Sequence, residues 1–241
     1  MPEISLTNWT LGIFCWVCML QVHAAPVRLL TQQQLPYSNQ QMDGRQSGIA
    51  LETVRCVMIK LQRSVDIKFV PWKRAQNLVE LGEADGFFSA SQNSERDRYA
   101  TLSQMIAPQQ WRWYFRSESL AKPLSEEFRL SATVGAYFGS NMLTWLKNAG
   151  YRIYATPPAH DQLLKMLLAG RVDAVLASDL AMNEAIHLAH VEQKVRSELQ
   201  EDKPLGVYFS HHLLKEEPDF LSRFNAQLPS CRVKVQSAWQ S

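Results

Sequence analysis

The chain has 241 residues, 46% hydrophobic and 20% charged, a globular composition that is too apolar for a disordered one. That length allows one large or two small compact domains. A formal charge of +2 without any run of like charges excludes the concentrated basic surface that nucleic-acid binding demands.

The first feature along the chain is the apolar block LGIFCWVCML, residues 11–20, followed by QVHAAP. A membrane-spanning helix needs about 20 apolar residues, twice what this block offers. Val22 and Ala24 stand three and one positions before a cut, the small-residue pattern that ends a secretory leader. No Lys or Arg precedes the block and Glu3 does, so a buried N-terminal helix is the competing reading. We read residues 1–24 as a cleaved signal peptide, which sends the mature chain to the periplasm with a charge of +3. Cys15 and Cys18 follow Phe14 and Val17, not small residues, so neither reads as a lipid-anchor site.

Beyond the leader, VRLLT reads as a strand and PYSNQQMDGRQSG as a loop. In IALETVRCVMIKLQ, Leu51, Val54, Met58 and Leu61 recur at spacings of three and four, which predicts an amphipathic helix. SVDIKFV alternates Val65, Ile67 and Phe69 with Asp66 and Lys68, a half-buried strand. PWKRAQNLVEL follows as a helix closed by Gly82. It feeds the apolar run Gly86-Phe87-Phe88, which opens abruptly onto Ser89, Ser91 and the cluster Glu95-Arg96-Asp97-Arg98. WRWYFRSESLAKPLSEEF is a strand pattern and then a Pro/Ser linker, read as a crossing between two units. VGAYFGSNMLTWL runs strand, glycine, helix. HDQLLKMLLAGRVDAVLAS is a helix with Asp161 as its expected N-cap, closed by Gly170 and feeding a strand over 172–177. EDKPLGVYFS reads as a second crossing, and EEPDFLSRFNAQL as a closing helix.

Two stretches share one plan. Gly82 to Ser89 and Gly170 to Ala177 each run glycine, two residues, aspartate, a small residue, two apolar residues and a small residue. Alternating helices and strands, built twice, predict two α/β lobes with largely parallel sheets. We divide the mature chain into a first lobe, 25–110 with 205–241, and a second lobe, 111–204. Two crossings between lobes leave a cleft, and ligands of such sheets gather outside the carboxyl ends of the strands.

Chemistry-bearing motifs are sparse. Removal of the leader leaves Cys56 and Cys231, which can form one bridge in an oxidising compartment; a buried free thiol is the alternative for Cys56. Glu184, His187 and His190 fall at helical spacing, yet the metalloprotease pattern and a fourth ligand are missing, so a solvated face is the reading preferred. His211 and His212 sit at a strand exit without a nameable partner. No phosphate-cradling glycine loop, nucleophile elbow or Cys-His arrangement is present, so neither metal nor cofactor is expected.

Taken in order, PWKRA, GEADGFFSASQNSERDRYATLS, VGAYFGS, GRVDAVLAS, KPLGVYFS and FLSRFNAQL resemble the bacterial periplasmic solute-binding proteins of family 3, the amino-acid-binding-like receptors of ABC importers. The resemblance runs from about residue 27 to 228. It implies a type II periplasmic-binding-protein fold, two α/β lobes joined by a two-crossover hinge, acting as a monomer. Where the sequence matches, it implies that Ser89, Ser91 and Arg96 grip a solute carboxylate, a role that suits the planar fork of a guanidinium. The alternative for Arg96 is a solvated surface charge, with Arg98 equally available. Ser140 and Asn141 open a helix, whose free amides favour an anion, although Ser140 is also a good N-cap.

The departures matter as much. Ser178 stands where relatives commonly hold the solute ammonium with an aspartate. Asp179 follows it, but neighbours on an extended segment point to opposite sides. Gln34 aligns with a stacking aromatic, with Tyr37 close by. Trp72, Trp111 and Trp113 are candidates for replacement aromatic walls, against a core role for each. The candidate ligand set is therefore Tyr37, Trp72, Ser89, Ser91, Arg96, Ser140, Asn141 and Ser178. The expected function is binding of a small amino acid or related carboxylate, handed to an inner-membrane ABC permease or a sensor kinase. A periplasmic enzyme resembling cyclohexadienyl dehydratase is the alternative. It would need an acid or base in the cleft, and Glu52 is the nearest carboxylate in sequence.

Overall fold

The computed structural model describes residues 25–232; the leader read over 1–24 lies outside them. The chain begins with β1 (Val27–Thr31), a short hairpin of β2 (Asn39–Gln40) and β3 (Gln46–Ser47), then α1 (Ile49–Lys60), β4 (Val65–Phe69) and α2 (Trp72–Glu80). β5 (Gly86–Ala90), a 3-10 turn at Arg96–Arg98 and β6 (Ala100–Leu102) complete the first pass. β7 (Gln110–Arg116), α3 (Glu126–Ser131), β8 (Thr133–Ala136), α4 (Asn141–Asn148), β9 (Arg152–Ala155) and α5 (His160–Leu168) follow. Next come β10 (Ala174–Ser178), α6 (Asp179–Leu188) and β11 (Val195–Asp202). The chain then returns through β12 (Gly206–Ser210), α7 (His211–Glu216) and α8 (Phe220–Cys231).

These strands form two five-stranded sheets of matching design. The first is ordered β4-β1-β5-β12-β6 and the second β9-β8-β10-β7-β11. In each, three parallel strands are followed by an antiparallel strand that arrives from the crossing between the sheets. The twin stretches seen in the sequence occupy equivalent places, β5 and β10, each between the central parallel strand and the crossing strand.

The shared residues explain the shared geometry. Gly82 and Gly170 adopt φ of 77° and 66°, which ends α2 and α5 at little steric cost. The next residue closes the cap, Glu83 N–H donating to Leu78 O at 2.8 Å and Arg171 N–H to Met166 O at 3.0 Å. Asp85 then accepts from the Arg28 amide at 2.7 Å, and Asp173 from the Thr133 amide at 2.7 Å. Each aspartate thus pins the start of the neighbouring central strand and sets the register of the pair.

The connection between sheets is a pair of segments lying side by side. Leu205 N–H donates to Ala107 O and Lys203 N–H to Gln109 O, both at 2.9 Å. The Pro/Ser stretch at 117–125 is not a crossing, because β7 before it already pairs with β10 and β11 in the second sheet. Asp161 is not the cap of α5 either. The extended residue before the helix is Ala159, so Asp161 falls in the first turn, where it pairs with Lys165 at 2.9 Å.

Each lobe has an aromatic centre. Phe209 packs edge to face on Phe220 and Phe224 in the first, and Trp113 sits fully buried among Phe115, Phe128, Trp145 and Tyr151 in the second. A disulfide between Cys56 in α1 and Cys231 in α8, Cα atoms 5.6 Å apart, ties the last helix to the first.

Candidate functional site

The carboxyl ends of β1, β5 and β8 converge on a cavity between the lobes. Its free space is about 360 Å³, part of it continuous with solvent. The first lobe contributes Gln32 and Gln34 after β1, Trp72 from α2, and Ser89, Ser91 and Arg96 at and after β5. Gln109 and Leu205 come from the crossing segments. The second lobe contributes Tyr137, the first turn of α4 from Ser140 to Met142, and His160 at the start of α5.

Arg96 dominates the electrostatics. It is 3% exposed, whereas Arg98 next to it is exposed, so the surface-charge alternative holds for Arg98 alone. Its Nε donates to Gln76 Oε1 and its Nη1 to Ser91 O, both at 3.1 Å, and its guanidinium lies 5.2 Å from the centre of the Trp72 ring. Among the described residues, no carboxylate lies within 4 Å of it. Burial accordingly lowers its pKa to about 10. A buried cation without an ion partner is costly, and an anion entering the cavity would meet it at its fork.

Other polar groups in the wall are also unmatched. Ser89 Oγ, Gln32 Oε1 and His160 Nε2 are buried without a hydrogen-bond partner among the described residues. Ser89 is the extra residue of a bulge in β5, where Gly206 pairs with Ala90 and Val207 with Phe88. Its φ of 65° is strained for a non-glycine residue, and such strain gathers at ligand sites. Burial lowers the His160 pKa to about 4, so its ring, stacked 5.2 Å from Tyr137, stays neutral at pH 7. Burial also raises Tyr137 to about 12.

Asn141 closes the outer edge. From the second lobe, its Nδ2 donates to Ser91 Oγ at 2.8 Å, Gln92 O at 2.9 Å and Ser91 O at 3.0 Å, while Asn93 Nδ2 donates to its Oδ1 at 2.6 Å. Ser140 serves as the N-cap of α4, accepting from the Leu143 amide at 3.1 Å, and lines the cavity as well. Gly139, at φ 72°, brings the second lobe against the side chain of Trp72.

Trp72, Ser89, Ser91, Arg96, Ser140 and Asn141 therefore share one cavity. Tyr37 and Ser178 do not line it. Both are fully buried one layer behind Gln109, whose Nε2 donates to Ser178 Oγ at 3.0 Å. Ser178 in turn lies 3.3 Å from the Tyr37 hydroxyl, which donates to Asp179 Oδ1 at 3.2 Å. Asp179 also accepts from the Gln110 amide at 3.1 Å, and burial raises its pKa. These residues join the lobes beneath the cavity floor. Trp113 is core, and Trp111 carries the Lys203 ammonium 5.3 Å from its ring centre rather than facing the cavity. Glu52 is exposed on α1, 3.9 Å from Arg55. The three-residue pattern Glu184, His187, His190 does not assemble: His187 pairs with Glu192 instead, and no group of three metal-ligating side chains occurs among the described residues.

Sequence reasoning missed Gln32, Gln109, Tyr137 and His160. Gln32 was within reach, since it directly follows the carboxyl end of β1, where ligands of such sheets gather. His160 carried no such signal, because only the fold shows that α5 starts at the cavity.

No protein-family model and no curated protein matches the sequence. Solved structures do match. A histidine kinase sensor domain with similarity to periplasmic binding proteins superimposes with a TM-score of 0.75 at 17% identity, over 87% of this chain and 91% of that one. An ancestral arginine-binding protein bound to arginine gives 0.70 at 18%, over 86% and 92%. AncCDT-1, an ancestral amino acid-binding protein and precursor of cyclohexadienyl dehydratase, gives 0.69 at 17%, over 85% and 88%.

Proposed function

We propose that this chain, with its bilobal type II periplasmic-binding-protein fold, binds a small solute bearing a carboxylate, in the periplasm, and presents it to an inner-membrane partner. The observation that carries this reading is Arg96, a buried guanidinium in the wall of a cavity between two lobes with, among the described residues, no carboxylate within 4 Å. The unmatched Ser89 Oγ, Gln32 Oε1 and His160 Nε2 in the same wall support it, since a ligand would satisfy them together. Asn141 supports it too, as a latch that seals the edge once the lobes meet.

We read the site as one of binding without turnover. Among the described residues its wall has no carboxylate, and His160, with a pKa of about 4, is a weak base at pH 7. The receiver on this reading is an ABC permease, which the resemblance in sequence implies, or a sensor kinase, as for the histidine kinase sensor domain of similar fold. A thermal-shift screen of the mature protein against amino acids, polyamines and small carboxylates tests the proposal, with chromatography of each ligand afterwards. Stabilisation by a carboxylate recovered unchanged is expected. Stabilisation by polyamines alone, or recovery of an altered compound, would overturn it.

A further inference from the structure

Among the described residues, the wall of the cavity contains Arg96 as its charged residue and no Asp or Glu. The nearest acid in sequence to the family's ammonium-binding position, Asp179, is committed to the Tyr37 hydroxyl and the Gln110 amide behind that wall. A ligand ammonium would thus enter the cavity beside a buried guanidinium, with no acidic side chain among the described residues of its wall to offset the hydration it loses. A neutral donor faces no such cost. Gln32 fits one: its Nε2 is spent on Gln34 Oε1 at 2.7 Å, and its buried Oε1 is left to accept.

A second space adjoins the first across Gln32, Trp72 and Tyr137. It offers about 810 Å³ of free volume open to solvent, and Phe69, Val70, Phe138 and Pro158 give it an apolar lining. Phe138 is half exposed there. Among the described residues, no acidic one lines this space either.

We propose that the solute is an apolar hydroxy acid, an amine-free carboxylate whose hydroxyl serves the cavity and whose hydrocarbon body lies in the adjoining groove. The carboxylate meets Arg96, the hydroxyl donates to Gln32 Oε1, and the body covers Trp72, Tyr137 and Phe138. This rests on the binding reading above and narrows it to one ligand class.

Isosteric pairs test it, each differing only in hydroxyl against ammonium: lactate and alanine, 2-hydroxyhexanoate and norleucine, 3-phenyllactate and phenylalanine. Calorimetry on the mature protein is expected to show each hydroxy acid binding at least about tenfold tighter than its amino partner, the loss expected for one uncompensated buried charge. Within the hydroxy acids, affinity should rise from lactate to 3-phenyllactate. Phe138→Ser should weaken 3-phenyllactate several-fold and leave lactate unchanged. An amino acid that binds as tightly as its hydroxy partner overturns this inference and leaves carboxylate binding standing. Equal affinity for lactate and 3-phenyllactate, or indifference to Phe138→Ser, overturns the apolar body. Absence of binding by all six compounds overturns the hydroxy-acid assignment, and the broader screen then decides carboxylate binding separately.

Discussion

Replacing Arg96 by methionine removes the charge while keeping most of the volume. Burial takes this guanidinium from 12.5 to about 10. That difference is a penalty of about 3 kcal/mol for burying the charge in the cavity wall. A bound carboxylate offsets the penalty, so Arg96→Met should weaken binding by about 3 kcal/mol, or roughly 150-fold. The free protein loses the bonds to Gln76 Oε1 and Ser91 O, worth about 1–3 kcal/mol each as stranded acceptors, but also loses the buried charge. These changes oppose one another, so the melting temperature without ligand should move little. Arg96→Lys should recover only part of the affinity, since a point charge lacks the fork. Arg98→Ala, at an exposed position, should bind like wild type. Calorimetry with the tightest carboxylate from the solute screen reads all three variants. Near-wild-type affinity in Arg96→Met would refute the reasoning.

Asn141→Ala breaks the latch to Ser91, Gln92 and Asn93 and should speed ligand release about tenfold with little change in association, as stopped-flow fluorescence would show. Replacing Cys56 and Cys231 by alanine opens a link across 175 residues and should cost about 3–5 kcal/mol in denaturant unfolding; equal stability of the two proteins would count against a disulfide in solution. His160 has a folded pKa of about 4, below its ordinary value, so the unfolded chain binds the extra proton between those limits. Stability from this group is therefore full above about pH 6.5 and declines toward pH 4, by up to about 3 kcal/mol, and His160→Gln should flatten that slope in pH-resolved unfolding. Intact mass of periplasmic protein should show loss of residues 1–24 or 1–25; a mass retaining them would contradict the leader reading.

Much of the fold was legible because it rests on local rules. Gly82 and Gly170 end helices through backbone freedom, and the periodicity of Leu51, Val54 and Met58 marks a buried helical face. The repeated plan around Asp85 and Asp173 announced two lobes, since each aspartate pins a neighbouring strand in the same way. The cavity was legible where it follows β5, through Ser89, Ser91 and Arg96. It was not legible where it depends on depth: Tyr37 and Ser178 sit near the right place in sequence, yet one layer too deep. Trp111 and Trp113 illustrate the same limit, because an aromatic on a strand reads identically whether it faces a pocket or a core. Asp161 misled for a different reason. A cap is set by the backbone of the residue before the helix, here Ala159, whose side chain carries no signal.

The central claim is that Arg96 holds the carboxylate of a solute enclosed between the lobes. Native mass spectrometry of the mature protein, incubated with the carboxylates of the screen and then denatured, measures this directly. The account predicts one small acid per chain, released unchanged, and its loss in Arg96→Met. A chain that carries no acid, or an Arg96→Met chain that carries it as well as wild type does, would contradict it.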